Sequence, residues 1–171
     1  MSPPSGPGRG GPCLRPSRAL AGDAFAFVAP LAVAAIGGAV TARAIPTWYR
    51  RLDKPGWEPP DAAFAPVWTT LYLLMGVAVV LARRADPGRS PRTEAIFGLQ
   101  LALNLGWSVA FFGRRDPAAG LVVIVPLWAA IVATIAEFWG TRRLAAALLV
   151  PYLAWVIFAT LLNAEIWRRN R

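Results

Sequence analysis

The sequence predicts an all-α integral membrane protein, a bundle of five transmembrane helices with a structured first loop. Composition is the first sign: 56% of the 171 residues are hydrophobic, 16% are charged and the mean hydropathy is +0.46, a balance shifted away from soluble domains. Second, five segments contain no Asp, Glu, Lys or Arg: 24–42, 62–82, 95–113, 117–136 and 144–164. Each is about as long as the ~17–25 residues a helix needs to cross a bilayer. Third, the charges are confined to the gaps. A soluble core helix needs a polar face, whereas a span must exclude charge, so this partition favours spans.

Residues 1–22, rich in Pro, Gly and Arg without an apolar period, are expected to form a disordered tail, and 23–171 the membrane domain. The tail could also be read as the basic start of a signal peptide cleaved near Ala32-Val33-Ala34. The apolar run continues past that point through Val40, which favours an uncleaved first span. Between the first two spans lies a loop, 44–61, containing "WYRRLDKPGWEPP". Prolines fix φ and rings supply rigid area, so this connector is expected to hold a shape and to cover something, as a lid would.

At about 100° per residue, positions three, four and seven apart share a helix face. The second span thereby aligns Trp68, Tyr72 and Met75, the third Gln100, Asn104, Trp107 and Phe111, and the fifth Tyr152, Trp155, Ala159 and Asn163. Amides facing lipid would be costly. Converging rings and amides would instead enclose a flat, partly polar cavity. Such amides also serve as plain interhelical hydrogen-bond partners, worth roughly 0.6 kcal/mol on average, and Trp48, Tyr49, Trp139 and Trp167 near span ends fit interfacial belts.

The third span has a second pattern, in which Gly98, Ala102, Gly106 and Ala110 repeat every fourth residue. This ladder lies about 200° from the polar stripe and would let another helix approach closely, which makes it the expected homodimer interface. Packing within one chain is the alternative, with Ala34, Gly38 and Ala42 of the first span competing for the same role. Pro30, Pro66, Pro126 and Pro151 punctuate the spans, each removing a helical hydrogen bond. Pro66 and Pro151 lie near span starts, where the cost is small.

The net charge of +9 does not indicate a nucleic-acid partner. Arginine pairs at 83/84, 114/115, 142/143 and 168/169 sit at span ends, within reach of lipid phosphates, and no polar surface interleaves bases with aromatics. Nine Lys/Arg fall on each side of a five-span layout, so the positive-inside rule ties. Discounting the tail places the C-terminus and the lid in the cytoplasm of a cell membrane. The single cysteine, Cys13, allows no intramolecular disulfide. Histidine is absent, which removes the commonest ligand of zinc and haem iron and the usual base near neutral pH.

Four stretches, "WYRRLDKPGWEPP", "PVWTTLYLLMGVA", "LALNLGWSVAFF" and "LLVPYLAWVIFATLLNAEIWRRN", resemble in order and spacing the signatures of the tryptophan-rich sensory protein and translocator protein family, also called the TspO or peripheral-type benzodiazepine receptor family. The resemblance runs from Trp48 to Asn170. It implies a usually dimeric five-helix bundle that binds porphyrins and related tetrapyrroles, protoporphyrin IX or haem, beneath the first loop, with no cofactor required. The implied ligand residues are Tyr49, Trp57, Trp68, Tyr72, Asn104, Trp107, Trp155 and Ala159, and Arg50, Arg51 and Lys54 could meet ligand carboxylates. Animal members read a sterol with a Tyr where this chain has Ala164, so sterol binding is not expected.

A membrane sensor that binds tetrapyrroles is the leading expectation. The chain has no His, and Met75 is the only methionine inside the spans, so binding would proceed by stacking and hydrogen bonding, with no metal site. Light-dependent porphyrin degradation, with Trp68 and Trp155 as participants, is the enzymatic alternative. The spans offer no acid/base pair for it, because Glu137 and Glu165 lie at span ends. A transporter of tetrapyrroles or lipids is the third reading, although no span holds the midmembrane ionisable group usual in proton-coupled carriers.

Overall fold

Capping residues and prolines set where the helices start. Asp116 accepts hydrogen bonds at Oδ1 from the amides of Ala118 and Ala119, at 2.9 and 3.0 Å, with Pro117 at the first helical position. Ser90 Oγ accepts from the Arg92 amide at 3.2 Å, with Pro91 following. Both follow the preference for a side-chain acceptor before proline at a helix start. The computed structural model describes residues 16–88 and 90–171. Among them run α1 (Pro16–Ala44), a 3₁₀ turn (Tyr49–Arg51), α2 (Asp61–Ala85), α3 (Pro91–Ser108), a π-helical turn (Val109–Gly113), α4 (Pro117–Thr141), α5 (Arg143–Ala147) and α6 (Val150–Arg169).

These make five rods long and apolar enough to cross a membrane. A 25-residue helix such as α2 or α4 is about 38 Å long at ~1.5 Å per residue. The rods overrun the charge-free segments, because Arg and Lys at helix ends keep their stems on apolar surface and their heads in water. α1 begins at Pro16, inside the stretch 1–22 expected to be disordered; residues 1–15 lie outside the described residues. The fifth span, expected as one helix over 144–164, is broken at Leu148–Leu149 into α5 and α6. Pro151 supplies the reason, since it has no N–H to give the carbonyl of Ala147. The third span ends in the π turn, and Phe111 and Phe112 are both buried there.

α1 packs on α2 and α3, α3 on α4, α4 on α6, and α5 on α2 and α4. α2 and α6 are not among the closely packed pairs; aromatic side chains fill the space between them. The tight α1–α2 approach depends on Gly76. A Cβ there would lie 2.9 Å from the Phe27 ring and 3.1 Å from its carbonyl oxygen, so any side chain would push α1 away.

At the end remote from the lid, the helices are tied by ion pairs. Arg84 meets Asp23 at 2.8 Å, Arg83 pairs with Asp23 and Glu94, and Arg92 meets Glu137 at 3.4 Å. At the lid end Glu165 pairs with Arg168 at 2.6 Å and with Arg169 at 2.7 Å. Half of the arginines read as lipid anchors are therefore neutralised by the protein itself. Exposed pairs of this kind contribute about 0–1 kcal/mol each, so their role is to fix register rather than to hold the fold.

Candidate functional site: an aromatic chamber under a latched loop

The stripes expected from helical periodicity turn inward together. Gln100, Asn104, Trp107 and Phe111 of the third span are all buried, as are Tyr72 and Met75 of α2 and Tyr152, Ala159 and Asn163 of α6. Trp68 is the hub of the rings. Its centroid lies 5.7 Å from Tyr72, 6.0 Å from Trp107, 6.3 Å from Tyr152 and 6.5 Å from Trp155. These separations fall in the range favoured by aromatic pairs. Trp107 in turn stacks on Phe111 at 5.8 Å.

Two buried polar ladders cross the bundle. In the first, Tyr72 donates to Asn104 Oδ1, and Asn104 Nδ2 donates to the Tyr152 hydroxyl at 2.9 Å, joining α2, α3 and α6. In the second, Trp107 Nε1 donates to Asn163 Oδ1 at 3.3 Å, and Asn163 Nδ2 donates to the Pro117 carbonyl at 2.7 Å. Both amides are thus consumed structurally. Gln100 Nε2 points to the Met75 sulfur at 3.9 Å. Met75 is fully buried by this packing.

Two cavities lie on either side of Trp68. The inner chamber, about 20 Å³, is lined by Tyr49, Phe64, Trp68, Trp107, Trp155 and Ala159, among others. The outer groove, about 220 Å³, opens between α1 and α2 and is lined by Gly37, Gly38 and Thr41 of α1 against Trp68, Tyr72 and Trp107. Phe64, Trp68 and Trp107 are common to both, so they form the partition. Asn104 opens on neither cavity, because both ends of its amide are taken by tyrosines. Trp57 also lies outside both. It is half exposed, with its ring 5.7 Å from Phe158 of α6 on the outer side of the lid.

The first loop is a fixed cap. Asn170, just beyond α6, grips the backbone of Asp53 at two points: Oδ1 accepts from the Asp53 amide at 3.0 Å and Nδ2 donates to its carbonyl at 2.9 Å. Arg169 adds an ion pair to Asp53 at 3.5 Å, and Arg50 pairs with Asp61 at 2.9 Å. Lys54 is held by Glu58 at 2.9 Å while its ammonium sits 4.4 Å from the Tyr49 ring centroid. Tyr49 closes the chamber from above, its ring 5.6 Å from Phe112 and 6.2 Å from Phe64. Burial first, and then the charge of Glu58, raise the pKa of its phenol, so the cap presents a neutral hydroxyl.

Sequence reasoning did not assign α1 to the site. Ala34, Gly38 and Ala42, read as a packing ladder, line the groove together with Gly37 and Thr41. The adjacent small residues of "AAIGGAVTA" were the available signal, since an absent side chain makes a groove as readily as a helix contact. Phe64, Phe158, Leu162 and Ile166 also line the chamber. They escaped notice because apolar residues in a span look the same whether they face lipid or the interior.

The expected dimer ladder divides. Among the described residues a Cβ at Gly98 would meet nothing within 4 Å, and one at Gly106 would touch Val123 of α4 at 3.6 Å. Ala102 is exposed and Ala110 buried. One half of the ladder is therefore used inside the chain.

A five-rod membrane bundle with a ring-lined chamber, closed by a loop latched to the last helix, defines the class: a multi-pass integral membrane protein with an interior aromatic site. The TspO/MBR family profile matches residues 26–168. The chain is 45% identical over 142 residues to the tryptophan-rich protein TspO of Chlorobaculum tepidum, covering 82% of this chain and 90% of that one. Its counterpart in Archaeoglobus fulgidus is 40% identical over 144 residues, 84% and 94% of the two chains. The human translocator protein is 41% identical over 126 residues, 72% and 75%. The chain belongs to the TspO/MBR family.

Proposed function

We propose that this protein is a membrane receptor for porphyrins or related tetrapyrroles, with a regulatory or tetrapyrrole-handling role, binding them at the Trp68 partition beneath the lid. One observation carries the reading. Trp155 lines the inner chamber, and its indole N–H is buried with no hydrogen-bond partner among the described residues. An unpaired buried donor in a ring-lined site is costly unless a ligand or water accepts from it.

Neither cavity alone reaches the ~300–1,000 Å³ of sites that enclose drug-sized ligands. Binding therefore requires the Trp68 indole to swing and join groove to chamber. The groove then supplies entry from the bilayer side and the chamber supplies rings for stacking. With no histidine in the chain and Met75 enclosed by packing, contact with the macrocycle is through π faces and hydrogen bonds, and metal-free porphyrin is accepted. Arg51 makes no ion pair among the described residues and could meet a ligand carboxylate. The lid side faces the cytoplasm in this reading.

The test is an absorbance titration of the purified protein with protoporphyrin IX in the dark. A saturable Soret shift is expected, with affinity lowered about 5–10-fold in Trp155→Phe, the loss of one hydrogen bond of ~1–1.5 kcal/mol. An unchanged affinity in that variant would remove the proposed contact. Repeating the titration under illumination separates binding from degradation, since only degradation yields a new chromophore that Trp68→Phe and Trp155→Phe should suppress.

The open half of the ladder, Gly98 and Ala102, supports a homodimer through the third span. Oxidation of Ala102→Cys in proteoliposomes is expected to give a disulfide-linked dimer, whereas Val122→Cys on the exposed face of α4 is not. Equal crosslinking at both positions would indicate random collision.

A further inference from the structure

We infer that the cleft between the end of α1 and the α3–α4 turn binds the phosphate headgroup of an anionic phospholipid. This cleft, about 250 Å³, is lined by Val40, Arg43, Ala44, Phe112, Gly113 and Arg115. It shares only Phe112 with the groove beside Trp68, so it is a different site from the ring-lined one.

Three features point to a phosphate. First, among the described residues the side chains of Arg43 and Arg115 make no hydrogen bond or ion pair, unlike the arginines of α2 and α6. Two guanidinium groups brought to one cleft repel each other until an anion sits between them, and a tetrahedral phosphate can accept from both. The neighbouring carboxylate is turned to the helix instead: Asp116 Oδ1 accepts from the first amides of α4, and among the described residues Asp116 pairs with neither arginine. Second, Arg115 has φ of 59°, the left-handed region that glycine enters at far lower cost. The turn from Gly113 to Pro117 is so short that one residue must reverse the chain. An arginine there carries a backbone cost that a glycine would avoid, which accords with a side chain that has a ligand to meet.

Third, the rest of the wall is apolar: half-buried Val40 lies one turn before Arg43 on α1, toward the middle of the span, and Ala44 and Phe112 are buried. A cleft that is cationic at the end of a span and apolar toward the membrane matches a headgroup with its acyl chain. Free phosphate would use only the upper half.

The experiment uses the full chain in detergent, titrated with dioleoylphosphatidylglycerol, dioleoylphosphatidylcholine or inorganic phosphate, and reads retained lipid by native mass spectrometry together with the shift in Tm. Phosphatidylglycerol is expected to be retained and to raise Tm. The Arg43→Gln/Arg115→Asn double variant should weaken that apparent affinity about ten-fold, whereas Arg142→Gln/Arg143→Gln at the opposite end should leave it unchanged. Asparagine tolerates the left-handed region, so the lipid-free Tm of the double variant should not fall, and this separates loss of binding from loss of fold. An equal response in both double variants would overturn the site. A full stabilisation by inorganic phosphate alone would overturn its assignment to a lipid.

Discussion

Replacing Asn104 with Leu is expected to destabilise the bundle by about 2–4 kcal/mol, the cost of stranding two buried phenols at ~1–3 kcal/mol each, less what they recover by pairing elsewhere in the membrane-bound unfolded state. Tyr72 would lose its acceptor and Tyr152 its donor. Leu has the branching of Asn and a somewhat larger volume, so no cavity is left. The check is a triple variant, Asn104→Leu with Tyr72→Phe and Tyr152→Phe, measured by thermal or denaturant unfolding in detergent micelles. Removing every polar partner together is close to neutral, so most of the stability should return. If the triple variant is as unstable as the sum of its parts, the amide is not acting through those hydroxyls.

The same triad shows what could be read in the sequence. Period alone placed Gln100, Asn104, Trp107 and Phe111 on one buried face, because a span hides amides and shows aliphatics to lipid. Period could not say which buried face opens on a cavity. Asn104 and Trp107 share a stripe, yet Asn104 is sealed between tyrosines while Trp107 borders both cavities. That distinction depends on how far α2 and α6 stand apart, a tertiary distance with no local signature.

The lid was legible as stiff from its prolines and rings, but its latch was not. Asn170 and Asp53 are 117 residues apart, and no spacing rule connects them. Trp57 was placed in the site only by resemblance, and its half-exposed ring lies outside the two cavities. The break before Pro151 shows the opposite case. The proline was visible and its usual tolerance near a helix start was a sound rule, but the rod begins at Arg143 rather than beside the proline, so the rule applied to α6 and not to the whole span.

Gly120 is the position where the smallest change should do the most damage. A Cβ there would lie 2.6 Å from Asn163 Oδ1 and 3.0 Å from the Phe111 ring. Neither neighbour can yield freely. Asn163 is anchored by its 2.7 Å bond to the Pro117 carbonyl and receives the Trp107 indole, and Phe111 is stacked on Trp107. Gly120→Ala is therefore expected to cost about 2–4 kcal/mol, from overpacking at ~1–3 kcal/mol and a lost indole hydrogen bond at ~1 kcal/mol. The intrinsic helix preference of Ala over Gly, about 0.8–1.0 kcal/mol, acts the other way and is outweighed. Because the shortest contact is with the Asn163 amide, Asn163→Ala should relieve most of the clash and leave only the Phe111 contact, so the double variant should be more stable than additivity predicts. Strict additivity of the two unfolding free energies would mean that Asn163 moves aside at no cost. The wall of the chamber would then be soft where the contacts make it rigid, and the swing of Trp68 proposed for ligand binding would have no fixed frame to move against.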